Sequence, residues 1–139
     1  MTRFIRLDDY VSVCAQLYPQ DLPAVAAAGY STLVCNRPDS ESNDQPDTAT
    51  MALKAKQLAL EFHNIPVGGL SLSDDYVVRM ADVMRRSNGP ILAYCRSGLR
   101  SSLIWALAAV RNGADPTIVV RQVEAVGFPT RVIRSSLGN

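Results

Sequence analysis

Histidine is almost missing from this chain: His63 is the only one among 139 residues. Cysteine is scarce too, with 3 residues, at positions 14, 35 and 95. No two of them stand at the spacing of a metal clip, so neither a zinc site nor another metal or cofactor is expected. An odd, sparse count excludes a disulfide framework and suits a reducing compartment, so a cytoplasmic location is expected. Neither sign of charge dominates. With 14 basic and 13 acidic groups the formal net charge is +1, which gives no support for a nucleic-acid surface. Long hydrophobic runs are lacking, so no membrane span is expected. Met1-Thr2-Arg3-Phe4-Ile5-Arg6 has no apolar region behind its charges, unlike a signal peptide.

The length fits one domain, residues 1–139, with a core of useful size. Apolar residues make up 47% and charged residues 19%, ordinary values for a soluble globular protein. Strand-like and helix-like runs alternate, which predicts an α/β layer fold. Strands are expected over Phe4–Leu7, Val11–Cys14, Tyr30–Cys35, His63–Val67 and from Ile91. Helices are expected over Pro19–Ala28 (stopped by Gly29), Thr48–Phe62, Asp74–Arg86 (capped by Ser73) and Ser101–Asn112 (closed by Gly113). A last one runs from Pro116 to about Ala125, with Asp115 as its cap. Arg37–Asp47 is polar and proline-containing and reads as an exposed loop, and it is also a candidate wall of a substrate cleft. The residues after Gly127 read as a less ordered tail.

One stretch carries chemistry: Cys95-Arg96-Ser97-Gly98-Leu99-Arg100-Ser101-Ser102. It follows the apolar run from Pro90 to Tyr94 and opens a second one at Leu103. A cysteine therefore stands where a buried strand ends and a helix begins. Open α/β sheets bind ligands at that end. A helix start offers unpaired N–H groups and a positive dipole end. The backbone N–H groups of residues 96 to 100 can form a nest over the sulfur, and Gly98 permits the tight turn. Arg100 can offer a fork of donors to a tetrahedral oxyanion or a persulfide sulfur. Ser101 can donate to the cysteine sulfur or cap the helix. Together these features favour a thiolate nucleophile beside an anion site. Cys95 and Arg100 are the candidate catalytic residues, with Arg96, Ser97, Gly98, Leu99 and Ser101 around the anion. Cys14, Cys35, His63 and Trp105 read as structural, although Cys35 is also a candidate second thiol.

The loop resembles two families. Cys95-Arg96-Ser97-Gly98-Leu99-Arg100 fits the Cys-Arg-x-Gly-x-Arg/Thr pattern of the rhodanese sulfurtransferases. It is also similar to the His-Cys-x-x-Gly-x-x-Arg-Ser/Thr loop of the tyrosine and dual-specificity phosphatases, where the arginine lies one residue further on. The order of elements and the Leu33-Val34-Cys35-Asn36-Arg37-Pro38 strand and loop look like a small dual-specificity phosphatase. The whole chain resembles the phosphatase-like, sulfur-transferase domain sometimes fused to β-lactamase-like persulfide dioxygenases. That resemblance implies a three-layer fold, with a mostly parallel central sheet and helices on both faces. It implies a persulfide dioxygenase as a partner.

Three departures from the phosphatase pattern favour sulfur. Tyr94 replaces the histidine, and the loop is one residue shorter. The segment Ile65-Pro66-Val67-Gly68-Gly69-Leu70 lacks the carboxylate that protonates a leaving alkoxide. Asp74 and Asp75 follow shortly as the candidate general acid, although both suit a helix's first turn. The expectation is a sulfurtransferase that forms a Cys95 persulfide from thiosulfate or a small persulfide and passes the sulfur to a thiol acceptor. The alternatives are a phosphatase acting on a phosphoester through a phosphocysteine, and a non-catalytic anion- or persulfide-sensing module.

Overall fold

A computed structural model describes residues 2–70 and 72–137. Five strands form one sheet: β1 (Ile5–Arg6), β2 (Val11–Cys14), β3 (Thr32–Cys35), β4 (Glu61–Asn64) and β5 (Ile91–Tyr94), in the order β1-β2-β5-β3-β4. Only β1 runs antiparallel to its neighbour; the other pairings are parallel. The helices are α1 (Leu22–Ala27), α2 (Thr48–Gln57), α3 (Asp74–Arg86), α4 (Leu99–Arg111), α5 (Pro116–Ala125) and α6 (Arg131–Arg134).

Strands β2, β3 and β5 are buried at every position, as expected for parallel strands covered on both faces. Their side chains alternate between two cores. Val11, Val13, Val34, Ile91 and Ala93 pack with α3, α4 and α5. Cys14, Leu33, Cys35, Leu92 and Tyr94 pack with Leu22 and Val25 of α1 and Met51 and Ala55 of α2. The result is the three-layer α/β fold with a central, mostly parallel sheet. The register pairs Tyr94 with Cys14 on one side and with Cys35 on the other, and Cys35 with Asn64. Four strands therefore end level, and the loops that leave them share one edge.

Several boundaries differ from the sequence reading. The helix predicted to Phe62 ends at Gln57, and the strand predicted over His63–Val67 is Glu61–Asn64. The stop is a Schellman motif: Leu60 N–H donates to Ala55 O at 2.9 Å and Ala59 N–H to Lys56 O at 3.1 Å. Ala59 holds the left-handed position, at φ 59°. That site usually carries glycine, so the stop has no sequence signal. Pro19–Ala28 divides into a 3₁₀ turn, Pro19–Asp21, and α1. Helix α4 starts at Leu99, two residues before the expected Ser101. The expected loose tail contains α6, docked through buried Thr130 and Ile133.

The caps follow the polar chemistry of the loops. Asp47 accepts from Thr50 N–H and Asp115 from Thr117 N–H, both at 2.8 Å, and Pro116 fills the first turn where its missing N–H costs nothing. Ser73 stands at the α3 cap position in extended conformation, but its side chain makes no capping bond. No helix among the described residues is long and apolar enough to cross a membrane.

Candidate active site

The Cys95 loop leaves the central strand β5 and turns directly into α4. Gly98 makes the turn at φ 98°, a conformation open to glycine, and a β-carbon there would lie 3.1 Å from Phe128 and 3.6 Å from the Cys14 backbone. The Gly98 N–H donates to Cys95 Sγ at 3.1 Å. The other loop polar groups are used differently from the expected nest. Leu99 N–H donates to Ser97 Oγ at 3.3 Å, and Arg96 O accepts from Gln16 N–H at 3.2 Å. The Arg96 and Ser97 side chains are exposed.

Ser101 does not reach the sulfur. Because α4 begins two residues early, Ser101 lies inside its first turn rather than at the cap, and it is fully buried. Its hydroxyl donates to Asn36 Oδ1 at 2.8 Å, while Asn36 Nδ2 donates to Ile65 O at 3.1 Å. This buried pair ties the β5 loop to the β3 loop and to the segment after β4.

Arg100 points across the mouth of the loop. Nη1 donates to Val67 O at 2.8 Å and to Glu41 Oε2 at 2.8 Å, and Nη2 donates to Glu41 Oε1 at 2.9 Å. Glu41 holds the Arg100 guanidinium above its ordinary range, and the Cys95 sulfur adds to the effect. The carboxyl responds in kind. Arg100 first, and then Arg37, hold Glu41 below the usual carboxylate range against the opposing effect of burial. Arg37 is itself buried. Its Nε donates to Glu41 Oε1 at 3.0 Å, Nη1 to Gln16 Oε1 at 2.9 Å and Nη2 to Ser42 Oγ at 3.3 Å.

The polar loop Arg37–Asp47 is therefore a wall of the site with a fixed shape. Asp39 accepts from Thr48 N–H and Oγ1, and Gln45 donates to Pro38 O. Sequence reading marked this loop as exposed and as a candidate wall of the cleft, but did not single out Asn36, Arg37 or Glu41. The available signal was positional: Asn36-Arg37 follow a buried strand next to β5, and a cation at a buried strand end needs a partner.

The candidate acids stand at the start of α3. Asp74 and Asp75 are exposed in the first turn of α3, and Asp75 faces Arg79 at 4.0 Å. Among the described residues neither carboxylate makes a hydrogen bond or ion pair with the Cys95 loop. The other two cysteines sit in the core at the ends of β2 and β3. Burial, first, pushes the Cys14 and Cys35 thiols up, so both stay protonated at neutral pH. The Tyr94 hydroxyl lies beside Cys35, and burial pushes it up as well. Among the described residues no cluster of three or more metal-type side chains occurs.

Solved structures share this fold. A beta-lactamase hydrolase-like protein of Agrobacterium fabrum is 24% identical over 109 residues, 78% of this chain and 25% of that protein. The chain spans about a quarter of the length of the curated relatives it matches. A candidate phosphatase from Neisseria meningitidis is 30% identical, covers 96% of this chain and 94% of its own, and superposes with a TM-score of 0.81. Tk-PTP shares the fold at 14% identity, with a TM-score of 0.76 and coverage of 97% and 94%. The model of the beta-lactamase hydrolase-like protein, phosphatase-like domain, matches residues 3–112. From β1 to the end of α4, including the cysteine loop, the chain belongs to that phosphatase-like domain family.

Proposed function

We propose that this domain is a cysteine-dependent phosphomonoesterase. One observation carries the reading: a cysteine sulfur that accepts from Gly98 N–H and an arginine fork five positions on share one strand-to-helix loop. The fold around that loop is one that phosphatases use. In the reaction the Cys95 thiolate attacks phosphorus and the P–O ester bond breaks. The alkoxide leaves and takes a proton. Arg100 holds the non-bridging oxygens. Water then attacks the phosphocysteine, releasing orthophosphate and restoring the thiolate. Without a carboxylate in Ile65–Leu70, leaving groups that depart as stable anions, such as aryl oxides, are favoured.

A second reading is sulfur transfer, and two observations favour it. Four residues, not five, separate Cys95 from Arg100, so the loop is tight. A sulfite leaving group needs no acid. Here Cys95 attacks the sulfane sulfur of thiosulfate, sulfite departs, and the persulfide passes its outer sulfur to a thiol acceptor. A persulfide-oxidising partner belongs to this reading.

One pair of assays separates them. The phosphatase reading expects release of phosphate from an aryl phosphate, and little thiocyanate from thiosulfate and cyanide. Replacing the nucleophile, Cys95→Ser, is expected to lower turnover by about 10⁴-fold or more without unfolding the protein. Thiocyanate formation with no phosphate release would transfer the assignment to sulfur.

A further inference from the structure

The turn that presents Cys95 is braced from near the far end of the chain. Gly98 is buried, and among the described residues its N–H is the one backbone amide that donates to the Cys95 sulfur, at 3.1 Å. A glycine at φ 98° can swing that amide away at small cost, because no β-carbon restricts it. Something outside the loop has to hold it. The side of Gly98 where a β-carbon would stand is closed by the tip of the Phe128 ring, 3.1 Å from that position, and by the Cys14 backbone at 3.6 Å. We propose that Phe128 is a positioning residue: its ring wedges the Gly98 turn so that the amide stays on the nucleophile's sulfur. The inference rests on the reading of Cys95 as nucleophile and deepens it with a residue outside the stretch 3–112 matched to the family.

The segment behind Phe128 is built to hold the ring still. Helix α5 ends in a Schellman motif. Gly127, at φ 97°, donates its N–H to Glu124 O at 3.0 Å, and Phe128 N–H donates to Val123 O at 3.3 Å. The ring leaves that turn partly buried against the core. Pro129 follows, with its φ fixed by the pyrrolidine ring. Buried Thr130 then donates to Glu124 Oε2 at 2.6 Å and accepts from Arg134 Nε at 3.0 Å, and Arg134 also pairs with Glu124. The turn is fastened to α5 before it and to α6 after it. A ring held in this way meets a glycine that cannot hold itself. It acts by occupying the space into which the turn would otherwise move.

A ring that only filled the core would do something different. Its loss would weaken the whole fold, and every deeply protected amide would open more often. Loss of a wedge concentrates at Gly98. The chemistry separates in the same way. Arg100 grips the anion from the other side of the loop, so a loosened amide should impair attack by the sulfur and leave anion binding alone.

Amide hydrogen exchange, followed by NMR, reads the wedge directly in the unmodified protein, Phe128→Ala and Phe128→Leu. The leucine variant also serves if the alanine variant does not fold. The Val34 amide, in the middle of the sheet, reports global opening. In Phe128→Ala, Gly98 exchange is expected to accelerate about tenfold or more beyond any change at Val34, and in Phe128→Leu by less. On an aryl phosphate, kcat is expected to fall about tenfold in Phe128→Ala and to recover partly with leucine, while inhibition by inorganic phosphate stays within about twofold. If Gly98 and Val34 accelerate together, Phe128 only fills the core and the inference fails. It fails equally if Gly98 opens while kcat holds, or if phosphate inhibition weakens as much as kcat falls. If the unmodified protein releases no phosphate from the ester, the phosphatase reading falls, and the exchange comparison alone decides the inference.

Discussion

Two loops meet at the carboxyl edge of the sheet, and they are built by different means. The Cys95 loop is short and held by backbone. One glycine in the left-handed region turns it, one N–H reaches the sulfur, and α4 follows at once. The loop after β3 is long and held by side chains, chiefly Arg37, Asp39, Gln45 and Asp47. The first presents the nucleophile. The second sets the charge that the nucleophile's arginine meets. A nucleophile must be placed to a fraction of an ångström, and a backbone turn does that.

The sharpest way to break this division is at Arg100, where the two loops touch. Arg100→Ala is expected to lower kcat/KM for an aryl phosphate on the order of 10²–10³-fold, the usual loss when one preorganised oxyanion donor is removed. Arg100→Lys is expected to recover little of it, because a single ammonium cannot span two oxygens. Steady-state kinetics decide the point. A lysine variant with full activity would mean that only charge, not the fork, is used at this position.

The same division governs what can be read without coordinates. The Cys95 loop is visible in sequence because its parts are contiguous: an apolar strand, a cysteine, a glycine and a helix start. The pairing of Arg100 with Glu41 joins residues 59 apart, and no local pattern marks it. Ser101 went astray for a related reason. A serine before an apolar run reads as a cap, but here Gly98 holds the cap position and the helix begins early. The serine then turns inward, and a partner 65 residues away accepts its hydrogen bond. The end of α2 was lost because an alanine occupies a position that glycine normally signals. Misses of this kind come from long-range partners and from backbone conformations that tertiary contacts impose.

The next test pulls the loops apart at Asn36. Asn36→Ala removes the acceptor of the Ser101 hydroxyl and the donor to Ile65 O, leaving both buried groups unpaired. The expected loss is about 1–3 kcal/mol of stability, measured by urea denaturation. Adding Ser101→Ala to that variant is expected to recover part of the loss, because the orphaned hydroxyl is then gone. Two substitutions whose effects simply add would mean that the side chains act separately and that the loops are held together by their backbones.

The smallest expected effect tests the charge on the second loop. Arg100 and Arg37 hold the Glu41 carboxyl below its ordinary value of 4.5 in the folded protein. A group whose folded pKa is lowered stabilises the fold fully above its unfolded pKa, and that contribution fades as pH falls through the folded value. The parent protein and Glu41→Gln should therefore differ most at neutral pH, with the parent the more stable. Their denaturation midpoints should converge on acidification below about 4.5. The gap is expected to be small, because the pair is partly exposed and screened by solvent. A gap that stays constant down to pH 3 would show that the glutamine variant suffers from packing rather than lost charge.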